Sequence, residues 1–420
     1  MTGDPLGCYR HWRDGQDASS RLLLVEFCLD CYWLDESPTL ALTALYCLDH
    51  GQLRISVTAQ SMLLPDLPEP ALFEHLLSSY SLIDYRAHAP LALASTTVSK
   101  PWGQEVWYTG VERRGVCEFR GENARVPIPW LQAAVPDYAA GDPSQPLVLL
   151  KILDPRPQPV LGDLYFELHE HKREAYVVTS IDTGAWPGGT GGMRFGFNPG
   201  HIAASASREQ FRADYLAAVQ DYERVRRAID SLPEHSEAPA ELLAAEVQLR
   251  GAMDDYTDLR PMAVGDVIVV PPRVPHSLQH GVRVIEFQTP VYERQILSFA
   301  QRVLTQQHWD TSAAVASMHL DAPPPEPIVP LPAVTFRSLE RIADFPEFEL
   351  LRATLDTGEC WQFEPGSSYS VAIVACGSLR LAGRSYEAEE ALLLPGGWAG
   401  ELAAPESASP LVLLIARSRS

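Results

Sequence analysis

Gly162-Asp-Leu-Tyr-Phe-Glu167-Leu-His169-Glu-His171-Lys172-Arg-Glu174-Ala-Tyr-Val-Val is the stretch that decides the fold. It predicts two strands, Asp163–His169 and Glu174–Ile181, separated by a short polar turn. Alternate residues of a strand share a face. Glu167, His169 and His171 therefore point to one side, and Glu174, opening the returning strand, can join them. A second stretch, Gly265-Asp-Val-Ile-Val-Val-Pro271-Pro-Arg273-Val-Pro-His276-Ser-Leu-Gln-His280, delivers His276 from another hairpin. Imidazole and carboxylate donors on rigid strands suit a divalent metal such as zinc, iron or manganese. Glu167, His169, Glu174 and His276 are the candidate ligands, with His171 an alternative to Glu167 in a His-x-His pair. The competing reading is that these polar groups only satisfy one another.

Outward from this core, Leu147–Leu153 and Val282–Gln288 are apolar runs of strand length, and Asp266–Val270 is a third. Gly184–Gly200 is rich in glycine and is expected to be a loop. Ser207 and Gln210 form a capping box ahead of Phe211, Tyr215, Val219, Tyr222, Val225, Ile229 and Leu232, which recur at helical spacing. That aromatic stripe reads as core. A second helix is expected from about Pro239 to Met253, and a third over Arg294–Leu304.

The 420 residues predict several domains. Residues 1–95 form an α/β unit of unassigned role, with strands at Arg21–Trp33 and Leu53–Leu64 and a helix at Ala71–Leu82. Residues 96–320 carry the candidate metal site, with a helical insertion at about 201–260. The proline-dense 321–332 reads as a stiff linker. Residues 333–420 form a β-rich module without a single histidine. Structural support or dimerisation is the role expected of it, so a homodimer is an admissible state.

The net charge of −21 argues against nucleic acid and anionic membranes as partners. It leaves room for a small anionic substrate, provided that positive charge is concentrated at the site. Seven dispersed cysteines, no long apolar run and a polar start predict a reduced, cytoplasmic protein. Cys8-x-x-His11 and Cys28-x-x-Cys31 have the spacing of a zinc knuckle. Odd spacing, however, sends Cys28 and Cys31 to opposite faces of a strand.

The two decisive stretches resemble the paired motifs of the cupin superfamily. Glu167, His169 and Glu174 match the first motif; Gly265, Pro271 and His276 match the second. Within cupins, residues 96–420 resemble the type I mannose-6-phosphate isomerases. Lys100-Pro-Trp-Gly is similar to that family's opening motif, Leu150-Lys151-Ile-Leu to the strand before its metal pair, and His171-Lys172-Arg-Glu174 to its His-Lys-Pro-Glu. The chain departs from the family at Glu167, where glutamine is usual, at Glu170, where proline is, and at Arg273, where glycine is. The family's arginine-bearing tail is echoed by Tyr292-Glu-Arg294.

The resemblance implies a mainly β, bicupin-like fold of double-stranded β-helix (jelly-roll) domains with a helical insertion, to which residues 1–95 add the N-terminal α/β unit. It implies one divalent metal, Zn2+ or else Fe2+ or Mn2+, and an aldose–ketose isomerase acting on a sugar phosphate. Lys172 and Arg294 are the expected catalytic residues, meeting the phosphate or developing charge. Lys100, Trp102, Lys151, Arg273 and His280 are expected to line the substrate pocket. Lys172, His171 and Glu170 are candidates for the base. An iron or manganese oxygenase and a non-catalytic sugar-binding or regulatory cupin are the alternatives, since one fold serves several chemistries.

Overall fold

The computed structural model describes residues 1–14, 21–233, 237–301, 309–364, 366–406 and 409–419. Among these the chain divides into two units, one of Met1–Thr96, Trp107–Leu150 and Pro327–Ser420, the other of Thr97–Val106 and Lys151–Glu326.

The second unit is a sandwich of two antiparallel sheets. One sheet runs, in spatial order, Val267–Val270, Glu174–Ile181, Val282–Gln288, Leu149–Pro155, Gly103–Trp107 and Thr96–Lys100. The other runs Thr257–Met262, Gly191–Phe197, His276–Leu278, Phe166–Leu168 and Gln295–Ser298. Tyr176, Val178, Val282 and Val284 of the first sheet share a core with Met193, Phe195, Leu278 and Ile296 of the second. This is the face-to-face arrangement expected of a cupin, in which inward residues alternate along each strand.

Two elements differ from their expectation. Gly184–Gly200 contains the strand Gly191–Phe197. A Cβ on Gly191 would lie 2.3 Å from Val282 Cγ2, so that glycine serves close strand approach rather than a loop. Arg294–Leu304 contains the strand Gln295–Ser298 rather than a helix, and its residues 302–304 lie outside the described residues. Ile296 and Leu297 fill different cores, which requires the alternating faces of a strand.

The helical insertion is observed as Pro199–Ala204, Arg208–Asp230 and Ala240–Asp254. Ser207 Oγ accepts the Gln210 backbone N–H at 3.0 Å, capping the long helix. Phe211, Tyr215, Val219 and Tyr222 are fully buried and join Phe166, Leu168, Phe197 and Leu297 in one cluster. The aromatic stripe is core, and it packs behind the strand that carries Glu167.

In the first unit, Leu22–Asp30, Thr39–Asp49, Gln52–Thr58 and Tyr85–Arg86 form a sheet against which the helix Glu69–Ser79 packs. A second sandwich is built largely from residues beyond 327. Leu91–Ala94 joins its large sheet beside Ala391–Leu394, so the N-terminal stretch and the C-terminal module share one hydrogen-bonded surface. Within the expected linker, Val329–Leu331 pairs as an edge strand with Leu339–Arg341. Cys28 is exposed and Cys31 buried, so the two do not form one side of a zinc site.

Candidate metal centre

Strand pairing assembles the site. Glu167 stands directly opposite His276 in register, and Phe195 flanks His276 on the other side. His169 follows two residues after Glu167, just past the strand end. Glu174 begins the strand of the opposite sheet, in register with Gln288. The donor atoms of Glu167, His169 and His276 lie within 4.8 Å of one another.

The two imidazoles are aimed by the backbone. His169 Nδ1 lies 2.9 Å from the Glu293 carbonyl oxygen, and His276 Nδ1 lies 3.0 Å from that of Val274. A ring nitrogen facing a carbonyl carries the proton, which leaves each Nε2 as the acceptor. Both Nε2 atoms are buried without a hydrogen-bond partner and face the Glu167 carboxylate, whose Oε1 lies 3.8 Å from His169 Nε2. Buried polar atoms left unpaired cost roughly 1–3 kcal/mol each, so convergence of such atoms at one point is what a cation would relieve. The donor set therefore fits a divalent metal.

Glu174 adjoins both histidines, with Oε1 at 3.5 Å from His169 Nε2 and Oε2 at 3.0 Å from His276 Nε2. The second approach is off the line of a hydrogen bond. Its carboxylate also holds Lys172 Nζ at 2.5 Å and the Tyr176 hydroxyl at 2.8 Å. Burial works against its charge, yet Lys172 and His169 hold its carboxyl well below the usual range. Burial, reinforced by Lys172, holds the His169 imidazole down and favours the neutral ligand form. His276 is raised, because Glu174 outweighs the effect of burial.

Behind this layer lies a polar floor that sequence reasoning missed. Val282, Val284, Glu286 and Gln288 share the inward face of one strand, and Glu286 and Gln288 are buried. Glu286 stands in register with Tyr176. Burial pushes its carboxyl up to about 8, the Glu174 carboxylate adding to the rise against the pull of Lys151 and Lys172. Lys151 Nζ donates to Gln288 Oε1 at 3.1 Å. Burial opposes its charge, but Glu286, Glu105 and Glu174 outweigh it and raise its pKa. Lys100 pairs with Glu105 at 3.1 Å. The available signal was a charged residue at an inward position of an apolar strand, which is rarely buried without partners.

The whole chain has only three lysines, Lys100, Lys151 and Lys172. All three lie in this unit, each against a carboxylate or amide of the same floor. Each of these cations is thereby matched by neighbouring carboxylate or amide groups of the unit.

Other expected site residues fall elsewhere. His171 is exposed, and its backbone N–H donates to Glu293 Oε1, so it does not replace Glu167. Glu170 accepts from Gln295 Nε2 at 2.7 Å. Trp102 is buried in the sandwich core. His280 stacks on Trp186 and lies 2.7 Å from Asp163 Oδ1. Arg273 is exposed, with φ at 64°, the left-handed region where glycine is at ease. Its contribution is the backbone: its N–H donates to the His169 carbonyl at 2.6 Å. Arg294 does reach the cluster, with Nε 3.7 Å from Glu167 Oε2.

No family model matches the chain, and no curated protein matches it in sequence. Solved structures do. The mannose 6-phosphate isomerase from Bacillus subtilis aligns with a TM-score of 0.57 and 12% identity, covering 78% of this chain and 99% of that one. A mutant of the phosphomannose isomerase from Salmonella typhimurium aligns at 0.56 and 10%, covering 79% and 100%. A zinc-bound mannose 6-phosphate isomerase gives 0.56, 10%, 79% and 100%. At such identity the likeness shows the fold, which is mainly β and of cupin type with a helical insertion.

Proposed function

We propose that this protein is a metal-dependent aldose–ketose isomerase acting on a sugar phosphate, with mannose 6-phosphate and fructose 6-phosphate as the first pair to test. One observation carries the reading. Glu167, His169 and His276 bring their donor atoms together, both imidazole Nε2 atoms buried and unpartnered, inside a fold shared with a zinc-bound mannose 6-phosphate isomerase.

Glu167, His169 and His276 would hold one divalent cation, with Glu174 as a fourth donor once Lys172 gives way. Zinc suits the mixed nitrogen and oxygen set, and Fe2+ or Mn2+ are compatible with it. When bound, the metal supplies Lewis-acid polarisation of the substrate's carbonyl and hydroxyl oxygens.

The remaining work falls to the chain itself. Aldose–ketose interconversion moves a proton between adjacent carbons and another between their oxygens, so it needs groups that change protonation near neutral pH. Glu174 and Glu286 have their titrations pushed apart, the first downward and the second to about 8. Such a split assigns a permanent carboxylate and a carboxyl that gives and retakes a proton. Lys172, beside Glu174, offers the ammonium that meets charge developing on substrate oxygen or on the phosphate. With His171 exposed and Glu170 tied to Gln295, Lys172 and Glu286 are the proton-transfer candidates of this proposal.

The test is interconversion of the two sugar phosphates by purified protein, before and after chelation and on return of zinc. Turnover that chelator abolishes, zinc restores and His276→Ala lacks is the expected result. A zinc-loaded, folded protein that interconverts neither sugar would overturn the reading.

A further inference from the structure

Arg294 occupies an unusual position. It immediately precedes the strand Gln295–Ser298, which pairs with Phe166–Leu168 so that Ile296 stands opposite Glu167. Its guanidinium carbon lies 4.6 Å from the centroid of the Tyr165 ring. Tyr165 is itself buried and packed against Phe299, with ring centroids 4.2 Å apart. The shelf under the guanidinium is therefore rigid, and a cation over an aromatic face is held there by the ring's negative π-face.

From that shelf Arg294 Nε looks toward one oxygen of Glu167, Oε2, at 3.7 Å. The separation is an ion pair's and too long for a hydrogen bond. Oε2 is the buried carboxylate oxygen without a hydrogen-bond partner. The other oxygen, Oε1, lies 3.8 Å from His169 Nε2. One oxygen of Glu167 thus faces the imidazoles while the other faces a fixed cation.

We propose that Arg294 is a positioning residue for Glu167, holding Oε2 so that Oε1 is presented to the metal. The proposal rests on the metal-site reading above. A carboxylate donor rotates about its terminal bond and can offer either oxygen or both. A cation behind one oxygen removes that freedom. It also offsets the charge of a second carboxylate in a site that already contains Glu174. Arginine fits the task better than lysine, because its planar head stacks on Tyr165 while directing N–H groups sideways.

The experiment is the zinc dissociation constant by chelator competition, for wild type, Arg294→Met, Arg294→Lys, Glu167→Gln and the double variant Glu167→Gln/Arg294→Met. Circular dichroism of each confirms folding, and Arg294→Lys keeps the charge should the methionine variant fail to fold. Loss of an outer partner of a ligand weakens metal binding about 10- to 100-fold, which is the effect expected of Arg294→Met. Arg294→Lys should recover part of it. With Gln at position 167 there is no charge to hold, so adding Arg294→Met should change affinity by no more than about twofold. Equal losses from Arg294→Met in both backgrounds, or tighter zinc in Arg294→Met, would overturn the proposal alone. A wild-type protein that binds no zinc would overturn the metal-site reading, and this proposal with it.

Discussion

Glu286 and Glu174 lie on neighbouring strands, two residues apart in register, and their environments drive them in opposite directions. Glu286 has a folded value of about 8 against an ordinary value of 4.5. Between those pH values the folded state binds more protons than the unfolded one. Its contribution to stability is therefore complete below the ordinary value and is lost as pH rises through about 8. Metal-free wild type should unfold at lower urea concentration at pH 9 than at pH 5, and Glu286→Gln should shrink that difference. Equal slopes for the two proteins would show that Glu286 does not carry a buried proton. The residue was illegible in the sequence, because a single glutamate in Val282–Gln288 gives no sign of which partners it meets. The ligands were legible because their types and spacings constrain one another. Even there, alternation alone grouped His171 with Glu167 and His169, and the structure turns it to solvent.

Among the elements, those with local signals were readable. Glu174–Ile181 and Val282–Gln288 have the bounds that their apolar runs predict, and the long insertion helix begins where Ser207 and Gln210 place it. Removing the cap by Ser207→Ala should lower stability by roughly 1 kcal/mol, read as a shift in urea midpoint with zinc affinity unchanged. A loss of zinc affinity instead would mean that the insertion helix helps to set the metal donors. Elements whose signal is tertiary were misread. Gly191–Phe197 resembled a loop because it is rich in glycine, whereas Gly191 answers to Val282 of the facing sheet, which no local pattern reports. Arg294–Leu304, expected as a helix, holds the strand Gln295–Ser298, whose Ile296 and Leu297 are buried on opposite faces.

On the scale of the whole molecule, the few lysines are unevenly placed. A chain of net charge −21 with three lysines places all three on one polar floor, where they balance Glu105, Glu174 and Glu286. Leu91–Ala94 pairs with Ala391–Leu394 across some 300 residues of sequence, and sheet partners so distant leave no local trace.

The central claim is that Glu167, His169 and His276 hold a metal ion. Elemental analysis of purified wild type beside His276→Ala tests it most directly. One zinc per chain in wild type, lost in a folded His276→Ala protein, is the predicted result. A folded wild type that carries no divalent metal even after dialysis against zinc would contradict the account.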